Sequence, residues 1–307
     1  MKTMKNLFGM RGLSYLTVAF IVFLASCSDN NKIDFTASDA SNVEGESTSD
    51  SYSTDASDVS TDVVGGLSDL QLGGRESEEI KDGFGDNDRL KCAKITIERS
   101  NTATKDKPAG VITILYPADG TCKDARGNVR LGSIIITYSG RKFVVGSTIS
   151  TKFLNYSVAG VKIEGTHTLT NVAPVGAAGY PRFNATIVGG KVTFLNGKTV
   201  TREQNFTREW QRATNPKEDK WVLVKGGTAS GTNRDGKIYA MEVTKDLVYS
   251  RACQISNKVF IAVSGEKTFT SDGKVVTINF GDGACDNIVT ITINGKSKDV
   301  EVKGDGN

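Results

Sequence analysis

The larger part of the chain consists of short apolar runs separated by turn-forming residues. From Cys92 onward, Ile, Val, Thr, Phe and Tyr recur in short runs, and Gly, Asp and Asn stand between them. Apolar and polar positions alternate in many runs, and none shows the 3.6-residue period of a helix, so each is predicted to be a strand. The region is therefore expected to be all-β. The predicted strands cover residues 93–98, 111–116, 133–138, 148–156, 161–170, 191–195, 199–210, 221–224, 237–243, 258–263, 275–280, 288–293 and 299–302.

Two Asn-Gly dipeptides indicate how strands follow one another. Asn196-Gly197 lies between the runs KVTFL and KTVT, and Asn294-Gly295 lies between ITI and KSKDVEV. Both favour the positive φ angles that two-residue hairpins need, which predicts antiparallel pairing. We expect one large antiparallel sheet or β-sandwich over residues 91–307, or two β subdomains of about 91–170 and 171–307.

The first residues have the order of a signal peptide. Lys2, Lys5 and Arg11 precede an apolar run from Leu13 to Leu24, and small residues follow it. This order predicts a signal peptide over residues 1–26. The alternative is an uncut transmembrane anchor, which the short apolar run disfavours.

The sequence at the expected cleavage site predicts lipid attachment. Leu24-Ala25-Ser26-Cys27 resembles the lipobox of bacterial lipoproteins, in which the cysteine is lipidated and becomes the first mature residue. Two or more acyl chains on Cys27 would hold the protein firmly to a membrane. The following Ser28-Asp29-Asn30-Asn31 resembles the polar start that lets lipoproteins of the Bacteroidota reach the cell surface. The resemblance implies an outer-membrane lipoprotein that faces the periplasm or the exterior.

A polar segment separates Cys27 from the strand-rich region. Residues 28–64 are mainly Ser, Thr, Asp, Asn and Ala, and residues 65–90 contain leucines interrupted by Gly-Gly pairs. Such a composition offers little apolar surface for burial. Residues 27–90 are therefore predicted to be a lipidated cysteine followed by a flexible, acidic tether.

The charge balance gives no support for nucleic-acid binding. The formal charge of +3 equals the three basic residues of 1–26, which contain no acidic residue, so the predicted mature chain is neutral. A global basic surface for nucleic acid is therefore not expected. Residues 65–307 hold 34 basic and 26 acidic residues, a surplus that suits either an anionic ligand or, more simply, lysines on solvated strand faces.

The four remaining cysteines lie in two similar segments. Cys92 and Cys122 are thirty residues apart, Cys253 and Cys285 are thirty-two apart, and each pair encloses apolar strands and an Asp-Gly turn. A repeat of this kind indicates one unit used twice. Four cysteines allow three pairings, and the repeat favours Cys92–Cys122 with Cys253–Cys285 as disulfides of an exported protein. A zinc site is disfavoured because closely spaced cysteines and histidine partners are lacking.

Few residues suggest catalysis, and neither a metal nor a cofactor is expected. The single histidine, His167, lies on the apolar side of its predicted strand and is interpreted as a core residue. Glu203 and Glu209 share one face of a predicted strand, and a carboxylate pair is what a glycoside hydrolase needs. Two groups, Asp82/Asp86/Asp88 and Asp282/Asp286/Asn287, contain calcium-type oxygen ligands without the spacing of a known calcium loop.

Several phrases, among them FLNYSVAGVKIEGT and NFGDGACDN, together with the lipobox and the tether, resemble a group of uncharacterised β-rich lipoproteins from the Bacteroidota. The resemblance covers about residues 92–302 and implies location and fold. Two hypotheses follow for function. The first is a non-enzymatic envelope domain, binding or structural, that contacts glycan or protein through an exposed aromatic surface; the second is a polysaccharide hydrolase with a carboxylate pair. The candidate aromatic residues are Tyr138, Tyr156, Tyr180, Trp210 and Trp221.

Overall fold

The computed structural model describes residues 52, 53, 55–65, 78–80, 87, 89–124, 127–141, 143–173, 179–257, 259 and 261–301. They all belong to one compact unit, Ile33–Asn307. The predicted signal peptide, Cys27, the greater part of the predicted tether and the group Asp82/Asp86/Asp88 lie outside the described residues. No helix among the described residues is long and apolar enough to cross a membrane.

The protein is all-β, as predicted, and its strands form one antiparallel sheet. Nearly every strand pairs with the next strand along the chain, in the order β1 to β8 and then β10 to β15, while β9 pairs with β8 and β11. The strands are β1 (Glu78–Ile80), β2 (Lys94–Arg99), β3 (Ala109–Tyr116), β4 (Arg130–Ser139), β5 (Thr148–Val158), β6 (Val161–Ala173), β7 (Arg182–Thr193), β8 (Thr199–Gln211), β9 (Lys220–Leu223), β10 (Thr228–Thr232), β11 (Ile238–Ser250), β12 (Ser264–Ser271), β13 (Lys274–Asp282), β14 (Ile288–Ile293) and β15 (Lys296–Glu301).

Tight turns produce this up-and-down path. At Asn294-Gly295 both residues have positive φ, 50° and 74°, and the two residues join β14 directly to β15. Asp272-Gly273 forms the same kind of turn between β12 and β13, and so does Ala159-Gly160 between β5 and β6. These are the two-residue connections that match the twist of antiparallel strands.

Both predicted disulfides are present, and each encloses a pair of adjacent strands. Cys92–Cys122 encloses β2 and β3, and Cys253–Cys285 encloses β12 and β13. One detail differs from the expected repeat. Cys92 lies just before β2, whereas Cys253 lies in a short helix, Arg251–Asn257.

The strand predicted at 258–263 is wrong. After the helix Arg251–Asn257, residues 259 and 261–263 are irregular, and the next strand is β12. Val259, Ala262 and Val263 are nevertheless buried. An apolar run can thus cover other strands without being a strand itself, because periodicity alone does not fix its backbone.

The apolar side chains form two main clusters on the sheet. One cluster joins β2–β6, with Ile112, Ile114, Ile134 and Ile136 fully buried in it. The other joins β8 and β10–β14. The predicted subdomain boundary near residue 170 falls inside β6, where the pairing with β5 and β7 continues.

A helix covers the first cluster and corrects the tether prediction for this stretch. Residues 55–65, here called α1, are helical, and Ala56, Val59, Val63 and Val64 are at most 4% exposed. These positions recur at helical spacing among Ser and Asp residues, so α1 presents one apolar stripe to the sheet. The composition of this segment did not predict the stripe, because its few apolar residues pack against strands that lie far along the chain.

Buried Arg130 fixes α1 to the sheet. Its guanidinium donates to both carboxylate oxygens of Asp55 on α1, at 2.7 and 3.2 Å, and to the hydroxyl of Tyr156 at 2.6 Å. Asp124 lies 3.3 Å from the same group, and Arg89 contacts Asp55 at 3.2 Å. Burial alone would raise the pKa of Asp55, but the hydrogen bonds and charges of Arg130 and Arg89 outweigh it and lower that pKa.

His167 lies beneath the same helix and is a core residue, as expected. It is 4% exposed, its Nδ1 is 2.9 Å from the Ser57 hydroxyl of α1, and Phe153 packs edge-on against its ring at 4.9 Å. Its Nε2 has no hydrogen-bond partner among the described residues. Burial, assisted by the charge of Arg202, lowers the pKa of His167 to about 4.

The opposite face of the sheet carries small polar residues in register. One row crosses eleven strands, and its members lie directly opposite one another in each strand pair, about 4.8 Å apart. Nine of the eleven are Ser or Thr. The row consists of Thr137, Ser150, Thr168, Thr186, Asn205, Thr228, Glu242, Thr268, Thr277, Thr292 and Ser297.

We predict that Asp55→Asn lowers the free energy of unfolding by about 2–3 kcal/mol, because it removes the carboxylate that pairs with a buried guanidinium. Asp106→Asn is the matched control, since Asp106 is an exposed aspartate in the connection between β2 and β3 with no ion pair in the described part of the chain. Urea unfolding measures both variants. Equal stability of the two would show that Asp55 does not hold α1 in place.

We also predict that stability falls as the pH drops from about 6.5 to about 4. The unfolded chain binds a proton on His167 near pH 6.5, whereas the folded protein binds it only near pH 4, so the stabilisation is complete above 6.5 and is lost below it. The loss should be about 2–3 kcal/mol at pH 4.5. His167→Gln should flatten this part of the curve, measured by urea unfolding at pH 7.5 and 4.5. An unchanged slope in the variant would assign the pH dependence to other groups.

Candidate binding surface

Two tryptophans form a stacked pair on neighbouring strands. Trp210 of β8 lies directly opposite Trp221 of β9, so their side chains share one face of the sheet. The ring centroids are 5.3 Å apart and the ring planes differ by 15°. Trp221 is 40% exposed, so an indole that is already held in place by its neighbour remains open to solvent.

A third aromatic ring extends the pair. Phe143, in the connection between β4 and β5, has its ring centroid 5.8 Å from that of Trp210 and is 41% exposed. It also contacts buried Phe183 at 6.2 Å, which ties the connection to the sheet. Phe143, Trp210 and Trp221 are called the aromatic platform below.

Hydrogen bonds hold Trp210 in position. Its Nε1 donates to Oδ2 of buried Asp219 at 3.0 Å, and the other carboxylate oxygen of Asp219 accepts the backbone N–H of Ala213 at 2.9 Å. Asp219 thereby fastens the connection between β8 and β9, which contains a single 3-10 turn, Pro216–Glu218. The polar end of the indole is satisfied inside the protein, and its apolar ring is left for packing.

Charged groups lie next to the platform. The guanidinium of Arg212 is 5.1 Å from the ring centroid of Trp210, a cation–π distance.

On β8, Glu209 and Trp210 are adjacent and therefore point to opposite faces. Glu209 accepts from Arg182 at 2.6 Å and from Gln211 at 2.8 Å. Burial opposes the charge of Glu209, but these two donors outweigh it and lower the pKa of Glu209.

Of the five aromatic residues that the sequence suggested, the structure brings together two. Trp210 and Trp221 stack as described, whereas Tyr138 and Tyr156 are buried, at 1% and 0% exposure, and are wrong as surface residues. Their positions on β4 and β5 point to the apolar cluster that α1 covers. Tyr180 is 45% exposed but makes no ring contact with the platform in the described structure.

Phe143 was not predicted as a surface residue from the sequence. The sequence does contain an indication of this surface. Phe143-Val144-Val145 is an apolar run inside a connection and is followed directly by Gly146. All three side chains are more than 40% exposed. An apolar run in a turn that does not become buried marks a surface for contact.

Glu203 and Glu209 cannot act together as catalytic carboxylates. They share a face of β8 but are six residues apart on an extended strand, which separates them by about 20 Å. Glycoside hydrolysis requires about 5–10 Å. Glu203 instead accepts the backbone N–H of Gly189 at 2.8 Å, and Glu209 pairs with Arg182.

The described residues do not form a metal centre. No group of three or more His, Cys, Asp or Glu side chains in the described ranges lies close enough to hold an ion. Asp286 accepts the backbone N–H of Ile288 at 3.0 Å, which is the role of a turn residue. All four cysteines in this part of the chain are joined in disulfides.

Comparisons with known proteins supply no function for this chain, so its function is inferred from geometry. No family model, no curated protein and no solved structure matches the chain. The arrangement that a ligand can contact directly is the aromatic platform, which has two stacked indoles and a third ring, lies beside a guanidinium, and exposes Trp221 and Phe143 to solvent.

Proposed function

We propose that the chain is an exported outer-membrane lipoprotein, anchored through lipid on Cys27, whose β-domain is non-enzymatic and binds a glycan of the cell envelope through the aromatic platform. The observation that carries the binding proposal is the Trp210–Trp221 stack, in which Trp221 is 40% exposed. An aromatic ring on a soluble domain is usually buried, so an exposed ring that is rigidly held suits ligand contact.

The chemistry of the platform favours a sugar ring as its ligand. Each sugar ring has a face lined by C–H groups, which pack against the electron-rich face of an indole, and an edge of hydroxyl groups that needs hydrogen-bond donors. Trp221 and Phe143 offer the flat apolar surface, and Arg212 offers donors at its side. Because Trp210 and Trp221 fix each other, little side-chain entropy is lost on binding.

The disulfides support the proposed export. Cys92–Cys122 and Cys253–Cys285 are joined in the folded protein. Such bonds persist in the periplasm and at the cell surface and are rare in the reducing cytosol. Leu24-Ala25-Ser26-Cys27, with its likeness to a lipobox, supplies the proposed anchor.

We predict that Trp221→Ala weakens glycan binding by about tenfold or more, because it removes the exposed indole of the stacked pair. Retardation in native gels that contain soluble polysaccharides, among them hydroxyethyl cellulose and mannan, measures the change. Tyr180→Ala is the matched control, since Tyr180 is an exposed aromatic residue without a ring contact to the platform. Equal retardation of Trp221→Ala and wild type on every polysaccharide that binds would refute a role for the platform.

We predict that Cys27→Ala releases the protein from membranes, because the thiol that would carry the lipid is gone. Membrane fractions of cells fed with a clickable palmitate analogue should show labelled wild-type protein and unlabelled, soluble variant. Protease treatment of intact cells then tells whether the domain faces outward. Label on the variant, or its continued attachment, would contradict anchoring at Cys27.

A further inference from the structure

The exposed face of the sheet contains an open trough that lies apart from the aromatic platform. It has a volume of about 430 Å³ and crosses β7, β8, β10, β11 and β12. A volume of this size is within the range of about 300–1,000 Å³ typical of ligand sites. The side chains that give the trough its chemistry are Thr186, Glu203, Thr228, Ser230, Glu242 and Thr268, and they are called the polar trough below.

The hydroxyl groups of the polar trough are free to bind a ligand. The side chains of Thr186, Thr228, Ser230 and Thr268 have no hydrogen-bond partner among the described residues, and Thr228 and Ser230 are exposed. The backbone groups of these strands are used in pairing, because each strand has a neighbour on both sides. A ligand in the trough is therefore recognised by side-chain hydroxyls, each of which both donates and accepts.

The charge of the polar trough restricts its ligand. Glu203 and Glu242 are its charged side chains, and no Lys or Arg lines it. One carboxylate oxygen of Glu203 accepts the backbone N–H of Gly189, and the side chain of Glu242 is exposed. Two carboxylates with no cation beside them repel a polyanion. The surplus of basic residues in the domain as a whole therefore does not make this surface basic.

The shape of the surface disfavours a protein as its occupant. A strand of another chain adds at a sheet edge, whereas the trough lies in the middle of the sheet, between β7 and β12. Stable protein interfaces also need an apolar centre, and the exposed apolar side chains here are only Val188 and Ala240. An uncharged polyhydroxylated chain suits this surface. It needs hydroxyl partners along its length, but it needs neither a free sheet edge nor an apolar centre.

We propose that the polar trough is a second binding surface, selective for a neutral linear glycan that lies across the strands. Thr186, Thr228 and Thr268 belong to the row that runs perpendicular to the strands, with neighbours about 4.8 Å apart. Asn205 lies between Thr186 and Thr228 in this row, and Glu242 lies between Thr228 and Thr268. The three hydroxyls are therefore about 9.6 Å apart and exchange hydrogen bonds with sugars at that interval along the glycan. The inference rests on the proposed glycan binding and adds the class of glycan and a site of its own.

The double variant Thr186→Val/Thr228→Val tests the surface. Valine keeps the shape and the strand preference of threonine and replaces the hydroxyl by a methyl group. Loss of two hydrogen-bonding groups should weaken retardation by hydroxyethyl cellulose or mannan by about tenfold. Thr137→Val is the matched control, because Thr137 is an exposed member of the same row on β4, outside the trough. Unchanged retardation of the double variant would overturn the proposal.

A second pair of measurements separates this inference from the platform. If Trp221→Ala loses retardation and Thr186→Val/Thr228→Val keeps it, the platform binds alone and the trough proposal fails. If the double variant loses it and Trp221→Ala keeps it, the trough stands and the platform proposal fails. Glu203→Gln/Glu242→Gln should increase retardation by alginate, a carboxylate-bearing glycan, because the repelling charges are gone. Stronger binding of wild type to alginate than to either neutral polymer would overturn the claimed selectivity.

Discussion

A single sheet with one apolar face folds only if something covers that face, and the docking of α1 on buried Arg130 meets this requirement for the first half of the sheet. Arg130 is 2% exposed, so its charge is stable there only with Asp55 and Asp124 beside it and the Tyr156 hydroxyl as a further acceptor. One of these partners belongs to the helix and the others to the sheet region. The ion pair therefore fixes where the helix lies, and the apolar stripe of α1 supplies the burial that makes the position favourable.

Much of the fold was accessible from local sequence, because strands and their turns are local structures. The apolar run at residues 111–116 predicted β3, and Asn294-Gly295 predicted the last hairpin. The repeat of cysteine spacings predicted both disulfides. In each case the determining feature lies within a short stretch of sequence. It is the pattern of side chains in a strand, the φ angles of a turn, or the short loop that a disulfide closes.

Each failure concerns a segment or residue whose partner lies in another element of the fold. Helix α1 consists mainly of Ser, Asp and Thr, and its few apolar residues become decisive only against strands that follow tens of residues later. Strand β12, with the polar sequence SGEKTFTS, was not predicted, and it forms because β11 and β13 supply hydrogen bonds on both sides. Likewise, the stacking of Trp210 on Trp221 was predictable only from the register of β8 and β9.

The up-and-down order of the strands has a consequence for how the protein matures. Each strand pairs mainly with one just made, so loop closure is short at every step and the sheet can grow from its first hairpins onward. The cysteines that pair are consecutive along the chain, 92 with 122 and 253 with 285. In the proposed export, an oxidising enzyme that meets the chain N terminus first would join Cys92 to Cys122 before Cys253 and Cys285 appear. Maturation would then need thiol oxidation but no reshuffling of mispaired bonds.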